Sequence, residues 1–189
     1  LSEIVRQPTF IVAVASAMVG YGVMTLIMTP TPLSMVAHGH ARVDAYNVIT
    51  AHVIAMFGPS FLTGSIIKRF GVLNVMMAGT VLLAACVGIS ISGHDLHLYY
   101  IGFILLGIGW NFLFIGGTTL LTECHDESEK AKTQGFNDFL VFGTVAIAAL
   151  SSGPIFHFIS WEWLNLASAP FLIVTFLGIL GLALKRRKL

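Results

Sequence analysis

Charge is what this chain most lacks. Asp, Glu, Lys and Arg together make up 10% of its 189 residues, where a soluble domain carries about a quarter. That scarcity excludes an ordinary water-facing surface, and the net charge of +1 offers nucleic acid no basic surface. Cysteine is nearly absent as well. Cys86 and Cys124 stand far apart, too few for a disulfide framework or a thiolate metal cluster, so no metal and no cofactor is expected. There is no Gly-x-x-x-x-Gly-Lys phosphate loop, no carboxylate pair at hydrolase spacing, and no Ser, His and Asp set that could meet on one side of a membrane. A primary pump and an intramembrane enzyme are thereby disfavoured, and the chain is read as a non-enzyme. The opening Leu1-Ser2-Glu3-Ile4-Val5-Arg6 has no short apolar region with a small-residue cleavage site behind a basic start, so it is not read as a signal peptide. It reads instead as the continuation of something longer.

What is present is hydrocarbon. Hydrophobic residues account for 56% of the chain and the mean hydropathy is +0.87. They fall into six runs at about 9–29, 45–67, 72–92, 98–121, 134–156 and 163–184, which contain a single formal charge, Asp138. Each run has the length a helix needs to cross a hydrocarbon core of ~30 Å. The expectation is an all-α transmembrane protein with six spans in one membrane domain, residues 1–189, partnered by the lipid bilayer.

The few basic residues orient it. Arg6, Lys68, Arg69, Lys130, Lys132, Lys185, Arg186, Arg187 and Lys188 fall on one side of this pattern and only Arg42 on the other. Cytoplasmic segments hold the Lys and Arg excess, so both termini are expected in the cytoplasm, with the membrane that of a bacterial cell, its inner membrane. Basic clusters beside spans suit anionic lipid headgroups. The connections are short, and only 123–132 is charge-rich, a solvated linker long enough for a surface helix.

The sequence also repeats. Val19-Gly-Tyr-Gly-Val-Met-Thr-Leu-Ile-Met-Thr-Pro-Thr-Pro-Leu33 aligns without gaps on Leu106-Gly-Ile-Gly-Trp-Asn-Phe-Leu-Phe-Ile-Gly-Gly-Thr-Thr-Leu120. Three spans separate the copies, so they cross in opposite directions. The six-helix bundle is therefore expected to be a three-plus-three inverted repeat, with Gly20 equivalent to Gly107, as in secondary transporters.

Between the second and third spans stands Gly64-Ser-Ile-Ile-Lys-Arg-Phe-Gly71. This resembles the signature loop of the major facilitator superfamily, a glycine, an acidic-basic pair and a second glycine followed by basic residues. Gly64, Arg69 and Gly71 fit it; Lys68 stands where the family usually has Asp, and Val72 and Leu73 replace the trailing basic residues. Such degeneracy is what the second half of these transporters tends to carry. The resemblance implies a permease, with this chain as helices seven to twelve of twelve and an amino-terminal six-helix half as its missing partner. It also implies that the first, second, fourth and fifth spans face the substrate path.

Polar residues inside the spans mark candidate lining, because hydrocarbon gives them no partner. Tyr21, Thr25 and Thr29 follow helical spacing in the first span, with Pro30 and Pro32 expected to break the helix at its outer end. His52 shares a face of the second span with Met56, Pro59 and Thr63 and could exchange a proton or simply pack. In the fourth span Asn111, Thr118 and Thr122 share a face, with Trp110 and Phe114 beside Asn111, a set suited to an organic solute with a ring or amide. Asn137, Thr144 and Ser151 form a stripe along the fifth span. Lys68, Arg69 and Asp138 are candidates for a cytoplasmic gate, with Asp138 otherwise a helix cap. The expected function is secondary active transport of a small organic solute by alternating access, with protons a candidate coupling ion. The alternatives are a non-transporting membrane scaffold or assembly module of the same fold, and a channel-like oligomer.

Overall fold

The computed structural model describes residues 2–187, and Lys188, counted above among the basic residues, lies outside the described residues. A single 3-10 turn, Ile4–Arg6, leads into α1 (Pro8–Met28), which opens on a proline where a missing N–H is harmless. After a turn at Thr29-Pro30 the chain resumes as α2 (Thr31–Ala37), so that Pro8–Ala37 forms one long span. The helix breaks at Thr29-Pro30 as expected, but the span does not stop there. Pro30 caps α2 and Pro32 lies in its first turn, where neither needs to donate. The hydroxyls of Thr29 and Thr31 donate to Thr25 O and Ile27 O across the break, each at 2.7 Å.

The second span is bent. α3 (Arg42–Phe57) and α4 (Ser60–Phe70) meet at Gly58-Pro59 with an angle of 44°. α4 passes into α5 (Val72–Ser90) through Gly71 alone, whose φ of +86° lies in the region that side chains rarely adopt. α6 (Leu96–Leu121) follows, then turns up to Glu129, then α7 (Lys130–Phe158). Residues 123–132 thus form no separate surface helix, because Lys130 already opens α7. α8 (Trp161–Leu166) and α9 (Ala169–Arg186) complete the sixth segment. Every described element is helical, and five helices or, with the bent pair, up to six segments are long and apolar enough to cross a membrane.

α6 is the central helix. It packs on α5, α1 and α3, while α1 packs on α6, α7 and α9. Exchanging the first three segments for the last three maps these pairings onto one another, as an inverted repeat requires. Between apolar helices in lipid, close backbone approach replaces the hydrophobic drive. At Gly107 an added Cβ would stand 2.7 Å from His52 O, and at Gly117 2.8 Å from Ala13 O, so α6 lies directly against α3 and α1. In α1, Gly22 faces Thr144 on α7 and Gly20 faces Leu113 on α6.

The bundle has two distinct ends. At one, Arg186 donates to Glu123 Oε2 at 2.7 Å and to Thr9 Oγ1 at 3.3 Å, and Gln7 donates to Cys124 O at 3.3 Å. At the other, Tyr99 and Ser34 share a hydrogen bond of 3.0 Å and Trp161 Nε1 donates to Ser90 O at 3.0 Å.

Candidate substrate-binding face

Aromatic rings from four segments meet at mid-depth. Tyr21 on α1 sets its edge against Trp110 at 5.3 Å and Phe114 at 5.4 Å, both on α6, and against Phe142 on α7 at 6.0 Å. Trp110 stacks on Phe114 with centroids 5.1 Å apart and planes 11° apart, and Phe57 at the end of α3 meets it edge-on at 5.9 Å. Phe57 and Phe142 are exposed, Tyr21 and Phe114 half-buried, and Trp110 buried. Its indole Nε1 is buried and has no hydrogen-bond partner. A buried indole N–H normally finds an acceptor, so a donor is held here beside a wall of flat rings. Phe57 and Phe142 are in the cluster although sequence reasoning did not single them out. They look like any other lipid-facing Phe until α1, α3, α6 and α7 are brought together.

Asn111, the neighbour of Trp110, points elsewhere. It is fully buried; its Nδ2 donates to Met56 O and Ser60 Oγ, both at 2.7 Å, and its Oδ1 lies 2.6 Å from the Thr63 hydroxyl. These partners flank the bend at Gly58-Pro59. Proline cannot donate to the preceding turn, and polar side chains from neighbouring helices make such breaks tolerable in hydrocarbon. Asn111 therefore braces the bent span with both amide protons committed. His52 is also wholly buried, its Nδ1 2.9 Å from Phe103 O and its ring edge-on to Phe103 at 5.4 Å, with Nε2 buried and without a partner. It sits between α3 and α6, away from the aromatic wall.

The remaining polar candidates mostly satisfy themselves within their own helices. Thr118 bonds Phe114 O and Ile115 O at 3.1 and 3.0 Å, Thr144 bonds Leu140 O at 2.9 Å, and Thr29 bonds Thr25 O. Thr25 is buried in α1, and Ser151 half-buried in α7. Asn137 is buried and donates to Asp138 Oδ1 at 3.0 Å, so these two are joined. Lys68 and Arg69 are exposed in the last turn of α4, where positive charge suits the helix dipole. Arg69 lies over the Phe70 ring at 5.2 Å, and the structure records no ion pair between it and Asp138 among the described residues. Of the two motif glycines, Gly71 is required by its φ, whereas a Cβ on Gly64 would meet nothing within 4 Å.

The Major Facilitator Superfamily profile matches residues 4–188. The chain belongs to the major facilitator superfamily. Among curated members it is similar to the riboflavin transporter RfnT of Brucella anthropi, at 46% identity over 165 residues, 87% of this chain and 42% of the relative. It also resembles two MFS-type transporters of Bacillus subtilis. YddS is 38% identical over 78% of this chain and 34% of its own length, and YdeG is 38% identical over 70% and 31%. The chain thus spans well under half the length of these relatives. Family and apolar helices together make it an integral membrane protein with the all-α bundle of this superfamily.

Proposed function

We propose that the chain is the carboxyl-terminal six-helix half of a twelve-helix secondary transporter, and that its solute is a planar heteroaromatic compound of the riboflavin type, carried by alternating access. The aromatic wall of Tyr21, Trp110 and Phe114, flanked by Phe57 and Phe142, carries this reading. Flat rings accept a flat solute, and the unpartnered Trp110 Nε1 offers one donor to a ring nitrogen or carbonyl. The wall lies near mid-depth on the four segments expected to face the path, where transporters place their sites. The resemblance to a riboflavin transporter supports the same solute class.

The partner half accounts for the apolar surface left over. Only 11% of the apolar stretch of α7 is buried, against 61% in the first span, and Phe139, Phe142, Ile147 and Leu150 stand exposed along it. Lipid covers part of such a helix; the facing six-helix half covers the rest and closes the path over the aromatic wall. Lys68, Arg69 and the Asn137-Asp138 pair then act at the cytoplasmic gate, with Gly64 turned toward the other half. Protons remain a candidate coupling ion in this reading, and the membrane that of a bacterial cell.

The test is riboflavin uptake by proteoliposomes holding the full-length protein, with and without a pH gradient. Stacking a heteroaromatic ring on a side chain contributes about 1–3 kcal/mol, so Trp110→Ala should raise KM roughly tenfold or more while the amount of folded protein stays near wild type. Wild-type vesicles that exclude riboflavin but take up another flat heterocycle would change the solute within the class. Uptake of neither, with Trp110→Ala losing folded protein, would make the wall ordinary packing.

A further inference from the structure

At the end of the bundle away from both described termini, three turns bring together His38, His94 and Glu162. His38 follows α2, His94 lies between α5 and α6, and Glu162 opens α8. One ligand atom from each falls within 4.8 Å of the others. His94 Nε2 and Glu162 Oε1 are 3.0 Å apart, and the His38 and His94 rings lie face to face at 3.6 Å and 12°. We propose that these three residues bind one divalent transition-metal ion of the zinc type.

The donor set is two imidazoles and a carboxylate, which suits zinc, nickel or copper and leaves a fourth position for water. With bonds of about 2.0–2.1 Å, neighbouring ligand atoms in a tetrahedron stand roughly 3.3 Å apart. The His94–Glu162 separation is already close to that edge length. Magnesium and calcium prefer cages of oxygen and are excluded by the same argument.

Behind two of the three ligands stand hydrogen-bonding groups of the kind that orient metal ligands. His38 Nδ1 is 2.7 Å from Ser34 O, which assigns its proton to Nδ1 and leaves a lone pair on Nε2. Tyr99 OH and Ser34 Oγ stand 3.4 Å behind the same nitrogen. Glu162 Oε2 accepts from Ser160 Oγ at 2.7 Å, turning Oε1 toward His94. His40 Nε2 lies 2.6 Å from His94 O and so holds the turn that carries His94. His94 Nε2 is the atom that faces Glu162 and would take the ion, while its Nδ1 is buried with no partner. Coordination requires the two stacked rings to fan apart, and His38 is the exposed member that turns. The ion then staples the ends of α2, the α5–α6 turn and the α7–α8 turn, and this role is independent of which solute is carried.

The experiment uses purified, untagged full-length protein stripped with a chelator. Titration with Zn²⁺ should show one ion per chain by calorimetry and an upward shift of Tm, and Co²⁺ should give the visible absorption of a four-coordinate site. His38→Gln and Glu162→Gln should each weaken binding tenfold or more and remove the absorption, while Tm in chelator stays at the wild-type value. His97→Gln, which alters a histidine outside the cluster, should bind like wild type. Each variant is judged on its own, so misfolding of one leaves the other decisive. No stoichiometric binding by the wild type, or equal binding by both cluster variants, overturns the proposal, the latter assigning the ion to scattered surface histidines.

Discussion

Asn111 uses both amide protons and an oxygen lone pair inside the bundle, on Met56 O, Ser60 Oγ and Thr63 Oγ1. Replacing it by alanine leaves these buried partners of the bent span unanswered. Interhelical hydrogen bonds in membranes each contribute about 0.6–2 kcal/mol, so Asn111→Ala should destabilise the protein by roughly 1–3 kcal/mol. The expected outcome is a lowered Tm in detergent and less folded protein, with KM of the surviving fraction unchanged. A normal Tm with an altered KM would instead make Asn111 a solute contact. Sequence spacing puts Asn111 on one helix face with Thr118, but periodicity defines a face without saying what the face meets. Trp110, one position away and about 100° round the helix, meets the aromatic wall. The partners that separate the two roles come from residues 56–63 and 21, which no local pattern around 110 contains.

At the level of the helices, α6 is set by backbone contact. Gly107 and Gly117 let it lie against His52 O of α3 and Ala13 O of α1 at distances that exclude a side chain. Gly107→Ala should push α3 away, carrying the Asn111 brace and the Gly58-Pro59 bend with it, and should remove most of the folded protein. Gly181 on α9 is the contrast, since a Cβ there meets nothing within 4 Å. Gly181→Ala should be neutral or stabilising by up to about 1 kcal/mol through helix propensity, and thermal unfolding of both variants in one detergent checks the pair. The apolar segments were legible because their length is dictated by the bilayer. The 44° bend in the second was not, although Pro59 was in view. A proline in hydrocarbon bends a helix to the extent that neighbours satisfy the freed groups, and here the neighbour is some fifty residues further along. The resumption of the first span as α2 was missed for a related reason, since Thr29 and Thr31 carry the helix across prolines that by themselves signal a stop.

For the whole molecule the clearest sequence signal was the division into two ends, because charge bias follows from the cost of translocating Lys and Arg. The fold gathers Arg186, Glu123, Thr9, Gln7 and Cys124 at one end, as that division requires, while His38, His94 and Glu162 gather at the other. The histidine cluster was illegible because its members lie in three turns separated by whole spans, with no ligand spacing along the chain. The basic excess predicts which end faces the cytoplasm, and labelling of the 123–132 connection tests that expectation. Ser128 is exposed there, so Ser128→Cys in the full-length protein should resist an impermeant maleimide applied to intact cells and react in inverted vesicles. The native thiols give little background: Cys86 is buried within α5, and burial, aided by the nearby Glu123 carboxylate, pushes the Cys124 thiol up to about 11, so that little thiolate exists at neutral pH. Labelling of Ser128→Cys from outside intact cells would reverse the topology, put the proposed gate residues Lys68, Arg69 and Asp138 on the external side, and place the histidine cluster in the cytoplasm.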